Sequence, residues 1–417
     1  MTHRLQFLHP ALVLACLTAC TAESPQRDSA ATLATTDGAS DSTEGSEVSS
    51  TSSSTRGDDP ESESSSTLTT GDESTSDPDS TGDTPPNDAV HQLRVIVFGL
   101  DPFENGQRLS ETYYPQAGMT AEQVEDEIAA IAIEGFDRAT EGRVSFEVVH
   151  KVHVQEFPPY TNGFTYDFAS FSQCTTSPPA AHCEEQKWLA DYDTWVADNQ
   201  LCELADQYDA DEIWVVSSPY LLTWEAYMIG PTSGFNVNGG TYIVPGCDRH
   251  FVVMNPTYER LDTVMHNYGH RIEATMSYLT ERWSAADRAT HWESFSAIAR
   301  YGDATTPWPT VNCGNAHFPP NATAAYDYGN QTVVTASCAD WGNFPDYLGT
   351  TASISCSDWG CTDNGWNEYW MGSVPRLDGD AMLTDDQGGT FAFPRDWWSL
   401  ALYPDAAIDF RAMLDAP

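Results

Sequence analysis

The chain has 417 residues, with 18 Lys and Arg against 62 Asp and Glu, a formal charge of −44 and a pI near 4.2. Binding a phosphate backbone needs clustered cations, and Lys151 and Lys187 are the only lysines, so no nucleic-acid partner is expected. No run of 18 or more apolar residues exists to form a membrane-spanning helix, and self-repulsion at this charge favours a monomer with a strongly solvated surface.

The N-terminus reads as a targeting segment. His3 and Arg4 precede a short apolar stretch, Leu5 to Cys16, interrupted by His9 and Pro10; its length is that of a signal peptide. It ends in Leu17-Thr18-Ala19-Cys20, which resembles the lipobox of bacterial lipoproteins. That resemblance implies removal of residues 1–19, acylation of Cys20, and attachment to a membrane through several acyl chains. It also implies a place in the bacterial cell envelope; Thr21 in place of Asp after the cysteine favours the outer membrane or cell surface.

Residues 20–89 form the next segment. Positions 21–88 hold 30 Ser or Thr and no aromatic residue, Ile, Met or Cys. Such a composition buries too little apolar surface to offset chain entropy, which predicts a disordered acidic tether.

Folded structure is expected from residue 90. Leu93–Phe98 reads as a buried strand ending at Gly99, and Thr120 as the cap of an amphipathic helix running to about Thr140. Val144–Val154 alternates as a strand, Gln186–Tyr208 is helical in pattern, and Asp211–Val216, Thr241–Val244 and Phe251–Met254 are further strands. Asn255-Pro256 has the form of a helix start, followed by helical periodicity from Thr257 to about Trp283. The expected class is α/β (α+β): an α/β half, residues 90–301, and an irregular Cys- and Trp-rich half of the same domain, residues 302–417. Eight cysteines fall in these halves: Cys174, Cys183, Cys202, Cys247, Cys313, Cys338, Cys356 and Cys361. In an exported protein an even count predicts up to four disulfides, with Cys174–Cys183 and Cys356–Cys361 favoured by their short spacing.

One constellation carries chemistry. At 100° per residue, His266, His270 and Glu273 share one stripe of the helix, opposite Leu261, Val264, Tyr268, Ile272, Met276 and Leu279. Two imidazoles four residues apart converge above a helix as a divalent metal requires. Glu273, one turn on, is a candidate third ligand, an orienter of a ligand histidine, or a catalytic carboxylate. Gly269 weakens a helix by about 1 kcal/mol, so its place beside His270 predicts a close approach by another part of the chain.

The order of strands and this helix, over residues 93–300, resembles the zincin metallopeptidases, in which a mixed sheet backs a helix bearing HExxH. The resemblance implies a zinc-type ion on His266 and His270, with Glu293, 23 residues after His270, as an alternative third ligand to Glu273. It departs at Asn267, which stands where the family has the glutamate that activates water; asparagine cannot accept that proton. A surviving hydrolase, peptidase-like in class, would need Glu273, Glu225 or another carboxylate instead. The implied function is therefore a lipid-anchored, metal-binding surface protein that is hydrolytically altered or inactive.

Other candidates are weaker. His150 and His153 are three apart on a strand and face opposite ways. His291 and His317 are further histidines that could complete a site, His317 from the loop Cys313–Asn321. Asp378, Asp380, Asp385 and Asp386 are candidate Ca²⁺ ligands without a recognised loop spacing. Trp341, Trp359, Trp366 and Trp370 alternate with Asp and Asn. They read either as a compact aromatic core, the favoured reading, or as a glycan- or protein-binding surface of a non-enzymatic lipoprotein.

Overall fold

The apolar run Leu93–Phe98 shows no alternation because the strand it forms is covered on both faces. In β1 (His91–Leu100), Val95 and Val97 enter one core cluster, while Ile96 and Phe98 enter a second on the other side. The computed structural model describes residues 91–415 apart from 177, 281–289, 299–310 and 385–388. The signal segment, Cys20 and the tether lie outside the described residues, as do Asp385 and Asp386.

The fold is α+β, built on a mixed six-stranded sheet. α1 (Ala121–Thr140) follows β1; Thr120 caps it through a reciprocal pair with Gln123, and Val124, Ile128, Ala132, Phe136 and Ala139 form its buried stripe. Then come β2 (Val144–Val154), β3 (Glu212–Ser217), β4 (Ala226–Gly230), β5 (Thr241–Ile243) and β6 (Phe251–Met254). The spatial order is β2-β1-β3-β6-β4-β5. β2, β1, β3 and β6 run parallel, β4 runs against β6, and β5 is parallel to β4. Strand β4 has no counterpart in the sequence reading.

Helix α2 (Thr263–Thr280) starts later than the Asn255-Pro256 signal implies. The chain there is still pairing with β3: Ser217 N donates to Pro256 O, and Tyr258 N to Ser217 O. The Asn255 side chain accepts from Ser217 Oγ and donates to Trp224 O, so it joins strands and caps nothing. The pattern Gln186–Tyr208 likewise resolves into three helices, Ala181–Lys187, Tyr192–Asp198 and Leu201–Tyr208. Asp191 caps the second, and Gln200 turns left-handed at φ 50° before the third.

The second half is more regular than its composition predicts. It contains α3 (Asp363–Met371), an antiparallel hairpin of Arg376–Thr384 with Thr390–Asp396, and α4 (Pro404–Leu414). Trp341, Trp359, Trp366, Trp370, Trp397 and Trp398 are buried in the same cluster as α1 and α2. The four tryptophans considered as a sugar platform are therefore core residues with no face left for a ligand. Asp378 pairs with Arg143, which also holds Asp396 at 3.0 Å, so it serves an ion-pair network and not a calcium loop. The eight cysteines lie at disulfide distance as Cys174–Cys183, Cys202–Cys247, Cys313–Cys338 and Cys356–Cys361, which includes both short-spaced pairs.

Glu125 faces inward from α1, fully buried. Tyr258 donates to its Oε1 at 2.5 Å and His153 Nδ1 lies 3.4 Å from its Oε2. Burial pushes its carboxyl up to about 7, partly opposed by the Tyr258 hydrogen bond and reinforced by Glu122 and Asp101, while Arg108 opposes. A carboxyl raised on folding makes the native state bind more protons between about pH 4.5 and 7, so its contribution to stability falls as pH rises through that window. Glu125→Gln, which keeps an acceptor for Tyr258, should stabilise the protein at pH 8 by on the order of 2 kcal/mol and leave it little changed at pH 4.5. Thermal melts of both proteins across pH 4.5–8 check this; equal slopes would contradict it.

Candidate metal centre

A helix with one apolar and one polar stripe normally shows the polar one to water. In α2 both are covered: His266 is 8% exposed, His270 3% and Glu273 4%. The apolar stripe packs on the sheet and α1, while the polar one is covered by the loop Cys313–Asn321.

That loop brings a third imidazole. His317 Nε2 is 2.8 Å from His270 Nε2, which in turn is 3.2 Å from His266 Nε2. The three residues form a group able to hold a metal ion. Four tetrahedral ligands at about 2.0 Å from zinc are spaced by roughly 3.3 Å, so these separations are those of ligands around one ion. Glu273 Oε2 accepts from His270 Nδ1 at 2.8 Å, which turns the lone pair of a neutral His270 towards the other two rings. Burial and the His270 charge lower His317 to about 2, and burial with the neighbouring histidines and Arg260 holds His266 well below its ordinary value. Burial alone would lower His270 too, but the hydrogen bond to Glu273 and the charges of Glu225 and Glu273 raise it to about 9. The group therefore carries one positive charge, on His270, with His266 and His317 neutral, and a cation at the centre would have to displace the His270 Nε2 proton.

The loop is braced at many points. Asn315 Oδ1 accepts from His317 N and Phe318 N, closing a tight turn, and Cys313 pairs with Cys338. Trp366 and Trp370 donate their indole N–H groups to Ala316 O and Gly314 O, at 3.2 and 3.0 Å, and Tyr328 donates to Ala316 O at 3.0 Å. Tyr326 N holds His317 O at 2.8 Å, with its ring 4.3 Å from the His317 ring. The buried aromatics of the second half thus fix the height of His317 above α2.

Glu273 stands beside the three-histidine group in the place of an orienter of His270. Its Oε1 accepts from Ala316 N at 2.9 Å, so its two oxygens bind His270 and the backbone next to His317. Glu293, the alternative third ligand, lies outside the histidine group; it is buried at the start of the helix His291–Phe295, where it accepts from Thr290 N at 3.0 Å as part of a capping box. Asn267 points away from the imidazoles and donates to Glu225 O and Asn255 O at 3.2 and 3.1 Å. His317 is the member that spacing alone does not select, since it is 47 residues from His270. Its signal is a histidine inside a loop stiffened by Cys313 and Pro319-Pro320.

A second group, Cys174, His182 and Cys183, is also close enough for a metal. Its two sulfurs are paired with each other, however, and a disulfide offers no thiolate. No protein-family model, curated protein or solved structure matches the chain.

Gly269 is where the loop touches the helix. A Cβ there would lie 3.0 Å from Ala316 Cβ, one residue from His317. Gly269→Ala gains about 1 kcal/mol in helix propensity, yet it should weaken zinc binding at least tenfold because Ala316 must move. Glu273→Gln should do the same, losing ten- to 100-fold in affinity, since an amide puts a donor against either Ala316 N–H or His270 Nδ1–H. Zinc titration calorimetry on both variants checks the point; unchanged affinity in both would remove Glu273 and the close contact from the site.

Proposed function

We propose that this chain is a lipid-anchored protein of the bacterial cell envelope whose folded domain is a zincin-like metalloprotein with altered hydrolytic machinery. The observation that carries the reading is the convergence of His266, His270 and His317 on one point, with Glu273 orienting His270. The mixed sheet with a buried histidine-bearing helix on one face also supports it. The third ligand in this proposal is His317, from the second half of the domain. Three imidazoles suit zinc or a similar borderline ion and not Ca²⁺, which takes oxygen ligands. Three protein ligands leave a position open, as catalytic sites do.

When bound, such an ion polarises a carbonyl or a water at that open position. The chain's own residues hold His266 and His317 neutral by burial, orient His270 through Glu273, and keep the Asn267 side chain tied to two backbone carbonyls. The substrate class we favour is an acyl compound, peptide-like, at the outer surface of the cell, where the acidic tether holds the domain away from the membrane. No helix among the described residues is long and apolar enough to cross a membrane. Attachment therefore rests on Cys20 in this reading.

Two measurements test it. Elemental analysis of the purified chain should find about one zinc-type ion per molecule. His266→Ala, His270→Ala and His317→Ala should each abolish binding, and Glu293→Gln should retain it. No metal in the wild type, and no heat on titration with zinc, would reject the metal site. Cys20→Ser should move the protein from the membrane fraction to the soluble one; a wild-type chain that never incorporates labelled palmitate would reject the anchor.

A further inference from the structure

The proposed site lacks a base on its helix, and the sheet supplies one. Glu225, the residue before β4, is 43% exposed in its side chain, and its Oε2 lies 3.8 Å from His270 Nε2. This is the side of His270 that faces the other imidazoles, whereas Glu273 holds the opposite nitrogen. The carboxylate is aimed: Asn238 Nδ2 donates to Oε2 at 2.6 Å. The backbone is clamped, with Glu225 O accepting from Asn255 N at 2.8 Å and from Asn267 Nδ2 at 3.2 Å.

We propose that Glu225 is the proton-transferring base of this site, delivered from the start of β4, and that Asn267 is a positioning residue holding Glu225 through its carbonyl. The proposal rests on the metal reading above. Glu225 has what the other nearby carboxylates lack: access to solvent, a place beside the ligand nitrogens, and no structural role for its side chain beyond the Asn238 contact. A carboxylate one water molecule away from the reacting atoms is within reach for general base catalysis. In hydrolysis of an acyl substrate, the water oxygen bonds to the carbonyl carbon as one of its protons passes to Glu225. The bond from that carbon to the leaving nitrogen or oxygen then breaks, and the same proton passes from Glu225 to the leaving atom. Water is consumed, acid and amine or alcohol are released, and the carboxylate is restored.

The experiment uses the full chain loaded with zinc, with 4-nitrophenyl acetate as the acyl probe, and the cobalt-loaded chain titrated with azide as a readout apart from turnover. Glu225→Gln should keep one metal per chain and lower ester hydrolysis about 100-fold or more. It should also bind azide about tenfold more tightly, because a carboxylate a few ångströms from the anion is gone. Asn267→Ala should keep the metal and lower kcat about tenfold with KM unchanged, as expected of a group that only aims the base. Loss of metal in Glu225→Gln would make Glu225 a ligand and overturn the assignment. So would unchanged hydrolysis and azide affinity, or a zinc-loaded wild type that leaves the ester intact. Absence of metal from the wild type is a different failure, that of the metal reading itself.

Discussion

Burial of α2 on all sides from Val264 to Met276 is the constraint from which the rest of the domain follows. A helix without a solvent face must satisfy every polar side chain from within the protein, because an unpartnered buried group costs about 1–3 kcal/mol and an unpaired buried charge more. Several polar residues of α2 reach other elements as a result. Asn267 donates to the ends of β4 and β6 through Glu225 O and Asn255 O. Arg271, 1% exposed, pairs with the buried Glu212 of β3 and donates to Leu402 O before α4 at 2.8 Å. Glu212 also accepts from Tyr268 and from Trp214 Nε1. Glu273 takes the remaining direction, toward the loop that carries His317. Few residues of this helix can change without stranding a partner.

The same constraint explains the tryptophans. A loop laid over a buried helix turns its carbonyls inward, where water cannot reach them, and they need donors that are themselves apolar in bulk. Indole is such a group, a large hydrophobic body with one N–H. Trp366 and Trp370 fill the core beside α1 and α2 and present that N–H to the carbonyls of Asn315, Ala316 and Gly314. Gly314, at φ 73°, and the Asn315 side chain close the turn. Trp366 and Trp370 thus hold a polar loop against a dry helix.

What the sequence made legible follows from the range of the interactions involved. β1, β3 and β6 are readable because a strand covered on both faces is mostly apolar along its length, and that signal is local. β4 is not: Ala226–Gly230 has one β-branched residue, Ile229, and no flanking alternation, so only its pairing with β6 and β5 defines it. The end of the strand at Asn255 was misread because Asn-Pro caps helices in general, whereas here the Asn side chain is claimed by Ser217 and Trp224. In the site, His266 and His270 were visible through helical spacing, and Gly269 marked the close approach. The role of Glu273 is not legible in the sequence, since periodicity gives direction around a helix but not what lies above it. His317 and the orientation of Glu225 arise from tertiary contacts that no spacing encodes.

That division has a consequence for how the site is built. His266 and His270 belong to the first half of the domain, His317 to the second, and a single carboxylate, Glu273, touches the ligand from one and the backbone beside the ligand from the other. The three imidazoles converge only when the loop is seated on α2, so an ion held by them, as proposed above, would link its own binding to the docking of that loop. In isolation the three buried imidazoles are a liability, nitrogens in close contact with too few protons to bridge them and His266 Nδ1 lacking a hydrogen-bond partner among the described residues. In the metal reading proposed above, an ion at their centre would offset the cost of this arrangement. The buried Arg271–Glu212 pair, the indole donors and the Cys313–Cys338 link are what keep that arrangement in register against its own repulsion.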